Sequence, residues 1–269
     1  MLTVENIRIG YRNGEVILKD LGFTLERGQL LAILGPNGVG KTTLLRCINA
    51  MIRPWSGTVR LLDLDVFQAS PAEIAKQLGY VAQRHEAGRM TAFDAVLLGR
   101  KPHLHWKAGR EDLLKVSGAL RQLGLEHLAL RHIDEMSGGE LQKVCIARAL
   151  VQEPRVLLLD EPTSSLDLKN QLDILDTIRR VVREHQLAAV LTMHDLNLAF
   201  RFADRFLFIK EGQVFAWGRP DQISAEMVAA VYGVRVDILR HKGQVVVVPA
   251  GRSPEVDGEG AARDASATT

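Results

Sequence analysis

A chain of 269 residues, 46% hydrophobic and 25% charged, has the composition of a globular protein with room for a sizeable core, which excludes disordered and fibrous classes for most of its length. Lys and Arg total 34 against 32 Asp and Glu, and a net charge of +2 argues against a nucleic-acid footprint, a local patch aside. The two cysteines, Cys47 and Cys145, lie in apolar, helical-looking segments, so buried free thiols in a reducing compartment are expected rather than a disulfide framework.

The first segment, MLTVENIRIGY, alternates and carries charges, unlike the apolar core of a signal peptide. No apolar run reaches the ~18 residues of a membrane span, so any work at a membrane is expected to be that of a peripheral partner. Leu2, Val4, Ile7, Ile9 and Tyr11, then Leu21, Phe23 and Leu25, predict half-buried antiparallel strands. Leu30–Leu34 is continuously apolar, as a strand covered on both faces is. A glycine-rich loop then leads into a helix expected over 41–52, and a turn at 54–57 into a strand at 58–62. Ser70-Pro71-Ala72-Glu73 combines a capping serine, a first-position proline and a box-closing glutamate. That helix is expected to stop at Gly79, with a strand over 80–83.

From 84 to 150 helical signals dominate, with Thr91 and Asp94 as a capping pair and Leu113, Leu114, Val116, Leu120 and Leu123 as an apolar stripe. This stretch reads as a helical subdomain inserted into an α/β core of about 1–83 and 151–250. Residues 156–159 return to buried strand; Leu168, Leu172, Leu175, Ile178 and Val182 then repeat at helix spacing. A strand at 188–193, a helix from 196, a hairpin folded over Glu211-Gly212 and a last strand at 244–248 follow. Residues 251–269 carry almost no bulky apolar side chain and are expected to be disordered.

Gly35-Pro36-Asn37-Gly38-Val39-Gly40-Lys41-Thr42 has the G-x4-G-K-[ST] spacing of a phosphate loop between a buried strand and a helix. Gly38 and Gly40 permit the backbone to turn successive N–H groups toward phosphate oxygens, where the helix N-terminus adds favourable potential. Lys41 can bridge β and γ phosphates, and the Thr42 hydroxyl can ligate Mg2+. The strand at 156–159 emits Asp160 and Glu161 at its C-terminal end, the end where open parallel sheets bind ligands. Asp160 is placed to hold Mg2+ and Glu161 to polarise a water. Gln83 and His194 each end a predicted strand on the same edge; His194 beside Asp195 fits a helix cap equally well.

MSGGELQ, 136–142, is the odd segment: glycine weakens a helix by roughly 1 kcal/mol relative to alanine, yet two begin one here. Ser137 and Glu140 also have capping-box spacing. Arg100, Lys101, Lys107 and Arg110, interleaved with His103, His105 and Trp106, read as a solvated or partner-facing loop in preference to a nucleic-acid patch.

Together, in this order, these residues resemble the ATP-binding cassette (ABC) ATPase family over roughly residues 1–250. Its elements here are Tyr11 as the adenine-stacking aromatic, GPNGVGKTT (Gly35 to Thr43, with Val39 and Thr43 inside it), Gln83 as the Q-loop, MSGGE as the signature, VLLLDEP, the D-loop ending in Asp167, and His194 as the switch histidine. The resemblance implies a RecA-like P-loop NTPase core with an N-terminal antiparallel β subdomain and an inserted helical subdomain. It implies ATP and Mg2+ as cofactors, with Thr42, Gln83 and Asp160 toward the metal. Glu161 is the implied catalytic base, assisted by His194 and Gln83.

The resemblance further implies a head-to-tail homodimer, in which Ser137, Gly138 and Gly139 complete the partner's nucleotide site and Asp167 joins the nucleotide contacts. GRPDQISAEMVAAVYGVRVDI, AFDAVLLGRKPH and the Val-rich last strand are similar to importer ATPases for ferric siderophores, haem and cobalamin; relatives of the same look import molybdate or other oxyanions. Such a subunit is expected on the cytoplasmic side of the cell membrane, with two permease subunits, an extracytoplasmic binding protein and no nucleic acid. A soluble non-transport ABC ATPase and a small-molecule kinase are the competing readings. Translation factors of the first kind usually hold two cassettes, and a kinase needs neither SGGE nor His194. Glu140 departs from the commoner Gln, and its carboxylate would repel triphosphate unless it points back to the cap.

Overall fold

The computed structural model describes residues 1–11, 13–83, 88–104 and 107–250. The tail at 251–269, Arg84, His85, His105 and Trp106 lie outside them. β1 (Leu2–Gly10) pairs antiparallel with β2 (Val16–Leu25), Val4 opposite Phe23 and Ile7 opposite Leu21. The step from Val4 to Ile7 breaks strict alternation, and Asn6 at φ 50 takes up the extra residue as a bulge, so Leu2, Val4, Ile7 and Ile9 all stay buried.

β3 (Leu30–Leu34), buried at every residue, feeds the phosphate loop and α1 (Lys41–Ile48). This helix ends a turn short of the expected 52. Ala50 swings to φ 53, and the N–H groups of Met51 and Ile52 fold back onto the Arg46 carbonyl. β4 (Ser56–Leu61) and β5 (Leu64–Asp65) complete a four-stranded antiparallel sheet, ordered β2-β1-β4-β5.

α2 (Pro71–Gln77) starts with the Ser70–Glu73 capping box, then gives way directly to β6 (Leu78–Val81). Gly79 therefore stops no helix; it lies inside the strand. A Cβ there would stand 3.1 Å from the Ala149 carbonyl oxygen and 3.2 Å from Pro154, so glycine is what lets the end of a later helix press on β6. α3 (Ala92–Leu97, capped by Thr91), α4 (Arg110–Gln122) and α5 (Gly138–Leu150) follow. Then come β7 (Val156–Leu159), α6 (Leu168–Glu184), β8 (Ala188–Thr192), α7 (Leu196–Phe202) and the hairpin β9 (Arg205–Lys210) to β10 (Gln213–Gly218). α8 (Ala225–Tyr232) and a second hairpin, β11 (Val236–His241) with β12 (Gln244–Pro249), close the described chain. Both hairpins turn through a left-handed pair, Glu211-Gly212 and Lys242-Gly243.

The six-stranded sheet runs β10-β9-β3-β8-β7-β6, parallel except for β10. Its period-two alternation separates two cores. Leu31, Ile33, Leu158, Val190, Leu207 and Ile209 pack with α1 and the antiparallel sheet. Leu30, Ala32, Leu34, Leu157, Leu159 and Leu191 pack with α3 to α8.

Of the stripe expected on α4, Val116, Leu120 and Leu123 are buried, but Leu113 and Leu114 are exposed. The first turn of α4 is tied by charge instead. Buried Arg100 bonds Asp112 at 2.9 Å, Glu153 at 2.9 Å and the Val151 carbonyl at 2.8 Å, and Lys115 also reaches Glu153. Arg100 is thus an internal tie rather than part of a surface loop, and His103 is bonded to the Gln152 carbonyl. No helix among the described residues is long and apolar enough to cross a membrane.

Candidate functional site

At the C-terminal edge of the parallel sheet, the loop after β3 and the ends of β7 and β8 meet around a cleft of about 490 Å³. Tyr11, Asn37, Gly38, Gly40, Lys41, Thr42, Thr43, Gln83, Glu161 and His194 line it, together with Ile17. The phosphate loop, Gln83, Glu161 and His194 follow β3, β6, β7 and β8 of the parallel sheet, while Tyr11 follows β1 and Ile17 lies in β2 of the antiparallel sheet. Gly35, Pro36 and Val39 belong to the same loop, and Gly40 caps α1 at φ 104, where a Cβ would stand 2.7 Å from Leu18.

Lys41 is only 6% exposed and donates to the carbonyls of Gly35 at 2.8 Å and Pro36 at 3.0 Å. Burial lowers its pKa, while Glu161 and Asp160 oppose that shift, so the cation is held between desolvation and two carboxylates. Asp160, 2% exposed, accepts from Thr42 Oγ1 at 3.0 Å and from Thr192 Oγ1 at 2.8 Å. Thr192 Oγ1 in turn accepts from the Glu161 backbone N–H at 2.8 Å. Glu161 sits at φ 47, and its carboxylate is gripped on both oxygens: Gln83 Nε2 donates at 2.5 Å, and His194 Nε2 contacts the other. Asp195 also caps α7, accepting from the Leu198 N–H at 2.9 Å, so the cap reading of that pair is fulfilled beside the site contact.

Thr192 is the residue sequence reasoning passed over. Its signal was a single hydroxyl closing an otherwise apolar strand, AAVLT, and with no other polar atom beside it in sequence the partner could not be guessed.

Ser137, Gly138, Gly139 and Asp167 do not line this cleft. Ser137 caps α5: its N–H and hydroxyl both donate to Glu140 Oε2 at 2.8 Å, and the Glu140 N–H donates back to Ser137 Oγ at 3.3 Å. Glu140 accordingly points to the cap, and those bonds from the Ser137 backbone and side chain lower its pKa. Gly139 is buried where a Cβ would stand 2.9 Å from Asn170 Oδ1, so the second glycine is needed for α5 to lie against α6. Asp167 caps α6 by accepting from the Asn170 N–H at 2.8 Å.

The oxygen set around Thr42 and Asp160 suits a hard cation, since Mg2+ takes one or two protein oxygens and leaves the rest to phosphate and water. The described residues hold no cluster of three or more His, Cys, Asp or Glu side chains that could bind a metal by themselves.

A family profile for ABC transporters matches residues 18–164. The chain belongs to the ABC transporter ATPase family. It is 47% identical over 251 residues to an uncharacterized ABC transporter ATP-binding protein of Methanocaldococcus jannaschii, covering 93% of this chain and 98% of that one. It is 40% identical to the hemin import ATP-binding protein of Myxococcus xanthus, covering 94% and 98%. A phosphonates import ATP-binding protein of Nitratidesulfovibrio vulgaris is 36% identical over 86% of this chain and 91% of its own.

Among solved structures, a chain of an inward-facing ABC transporter described as of metal-chelate type superposes with a TM-score of 0.81 at 30% identity, over 93% of this chain and 98% of that one. A dimeric ATP-binding cassette bound to ADP and phosphate superposes at 0.72 with 29% identity, over 82% and 99%. The protein is therefore an ATP-hydrolysing, ATP-binding subunit of an ABC transporter, with the RecA-like core, antiparallel β subdomain and helical insertion of that fold.

Proposed function

We propose that this ABC ATPase drives uptake of a metal chelate of the ferric siderophore, haem or cobalamin type. The observation that carries the reading is the 40% identity to a hemin importer subunit across nearly the whole of both chains, in step with the likeness to a metal-chelate transporter. In this reading two copies close head to tail over two ATP molecules, as the dimeric form of a related cassette supports. Tyr11 stacks on adenine, Gly35 to Thr43 cradle the phosphates, and Ser137, Gly138 and Gly139 of the second copy reach the γ-phosphate, with Asp167 at the same seam.

Thr42 and Asp160 would hold Mg2+, with Gln83 beside them, and the ion would supply charge neutralisation to the phosphates. Lys41 leaves the Gly35 and Pro36 carbonyls and takes up phosphate contacts. Glu161 accepts the proton of the attacking water, and Gln83 and His194, which already hold its two oxygens, orient it and the γ-phosphate.

The cleft of about 550 Å³ between α2, β6 and the 98–99 turn, with Met51 and Leu98 exposed at its rim, is where a permease helix would seat. Residues 84–150 would then act as the permease-facing helical subdomain of a single 1–250 domain, peripheral on the cytoplasmic side of the membrane. Two permease subunits and an extracytoplasmic binding protein complete the assembly.

A second reading, import of an oxyanion, has one observation in its favour, the 36% identity to the phosphonate importer subunit. Reconstitution with the cognate permease and binding protein separates them: ferric siderophore, haem or cobalamin should stimulate ATP hydrolysis, and stimulation by phosphonate or molybdate instead would replace the first reading. No stimulation by any permease would return the chain to a soluble role.

A further inference from the structure

We infer that Asn197 is a positioning residue for ATP hydrolysis, linking the C-terminal hairpin β11–β12 to His194 through the first turn of α7. The inference rests on the reading of His194 given above. The Asn197 amide makes both of its bonds to one backbone residue 50 positions away: Oδ1 accepts from the Val247 N–H at 2.7 Å, and Nδ2 donates to the Val247 carbonyl at 3.2 Å. A side chain that copies the pairing of a neighbouring strand in this way fixes position in two directions at once.

α7 has reason to need the hold. It is seven residues long, too short to be stable without packing. Leu198, Ala199, Phe200 and Phe202 bury one side of it, with Phe200 meeting Phe206 and Phe208 edge-on at 5.8 and 6.4 Å, which fixes the middle and end of the helix. The hydrogen bonds that a separate element makes to its first turn come from Val247.

His194 lies just before that turn, half exposed, with Glu161 as its side-chain partner. Upstream, Met193 is fastened by its N–H to the Ile33 carbonyl at 3.3 Å. Upstream tie and downstream clamp thus bracket the histidine, and the clamp reaches into a hairpin that touches neither nucleotide-loop residue nor Glu161 in the contacts above. The hairpin thereby becomes part of the catalytic geometry without lining the cleft.

The test uses the full-length chain. Asn197→Ala is expected to lower kcat for ATP about tenfold, less than the roughly 10²–10⁴ that loss of a general acid–base group costs because His194 is displaced and not removed, with KM within about twofold. The thermal midpoint should move by less than about 3 °C, and the imidazole NMR signals of His194 should shift. Val247→Pro removes the N–H that donates to Asn197 while leaving the sequence of α7 and an apolar side chain at 247 in place, and should reproduce part of the kcat loss on an edge strand that tolerates proline.

Unchanged kcat and unchanged His194 signals in Asn197→Ala, with His194→Ala impaired, would overturn this inference alone. Equal loss of kcat, ATP affinity and thermal midpoint would also overturn it, by making Asn197 a structural residue. Near-normal turnover in His194→Ala would bring down the underlying reading first, and this one with it.

Discussion

The phosphate-loop region and the signature region are both built on helix N-termini, yet they are finished differently. Around the phosphate loop, one chain supplies almost every part: Lys41 is paired to its own loop carbonyls, Asp160 to Thr42 and Thr192, and Glu161 to Gln83 and His194. Around Ser137 the polar groups are satisfied by Glu140 of the same helical turn, and Gly138 and Gly139 face Leu166 and Asn170 rather than the cleft. The first region keeps a cavity among its satisfied groups; the second closes on itself. A segment so finished costs little to leave waiting, because opening it for a phosphate exchanges one set of hydrogen bonds for another.

That contrast can be broken by substitution. Glu161→Gln should cost the most: ATP turnover falls by about 10²–10⁴, while ATP still binds and still drives dimerisation. Hydrolysis near the wild-type rate would remove Glu161 from the role. Lys41→Ala should act on binding instead, weakening ATP by about 10- to 100-fold, the worth of charged hydrogen bonds to phosphate; titration with a fluorescent ATP analogue reads it directly. Ser137→Ala should leave the binding of ATP to a single chain unchanged and weaken ATP-dependent dimerisation, with a stability loss of about 1 kcal/mol from the lost cap. Loss of monomeric ATP binding in that variant would erase the distinction between the two regions.

Smallest is Glu140→Gln, expected to leave dimerisation within about twofold because the side chain faces the cap. Its pH signature is more telling. The Ser137 bonds hold the Glu140 carboxyl below its usual pKa, so its contribution to stability is complete above the ordinary carboxylate range and lost as pH falls through the depressed value. Thermal melts of the glutamine variant should lack that acid-side component.

Most of the strands, the loop between β3 and α1 and both capping boxes were legible in sequence because each depends on residues close together in the chain, whereas β5 and β11 were not expected. The continuous apolar runs at 30–34 and 156–159 announced strands covered on both faces, and the structure divides their side chains between two cores. What escaped was set by contacts at long range. Gly79 looked like a helix stop and is a close-approach glycine, a fact held by Ala149 and Pro154. Leu113 and Leu114 have helix spacing, but Arg100 takes the place that apolar burial would have had. The end of α1 depends on Ala50 adopting a left-handed turn, for which alanine gives no signal. Thr192 binds Asp160 across the sheet, and nothing near it in sequence announces the bond.

Gly79 carries one more consequence. α5 is capped by Ser137 and brings Ala149 of its last turn against β6, and a helix of 13 residues is a rod about 20 Å long. β6 ends two residues before Gln83. At Gly79 the backbone of the strand meets the end of the rod directly, and two residues on, Val81 packs in the same apolar cluster as Val144, Ile146 and Ala147 of α5. A methyl group at position 79 would act as a shim, shifting the rod's resting position before any nucleotide is bound.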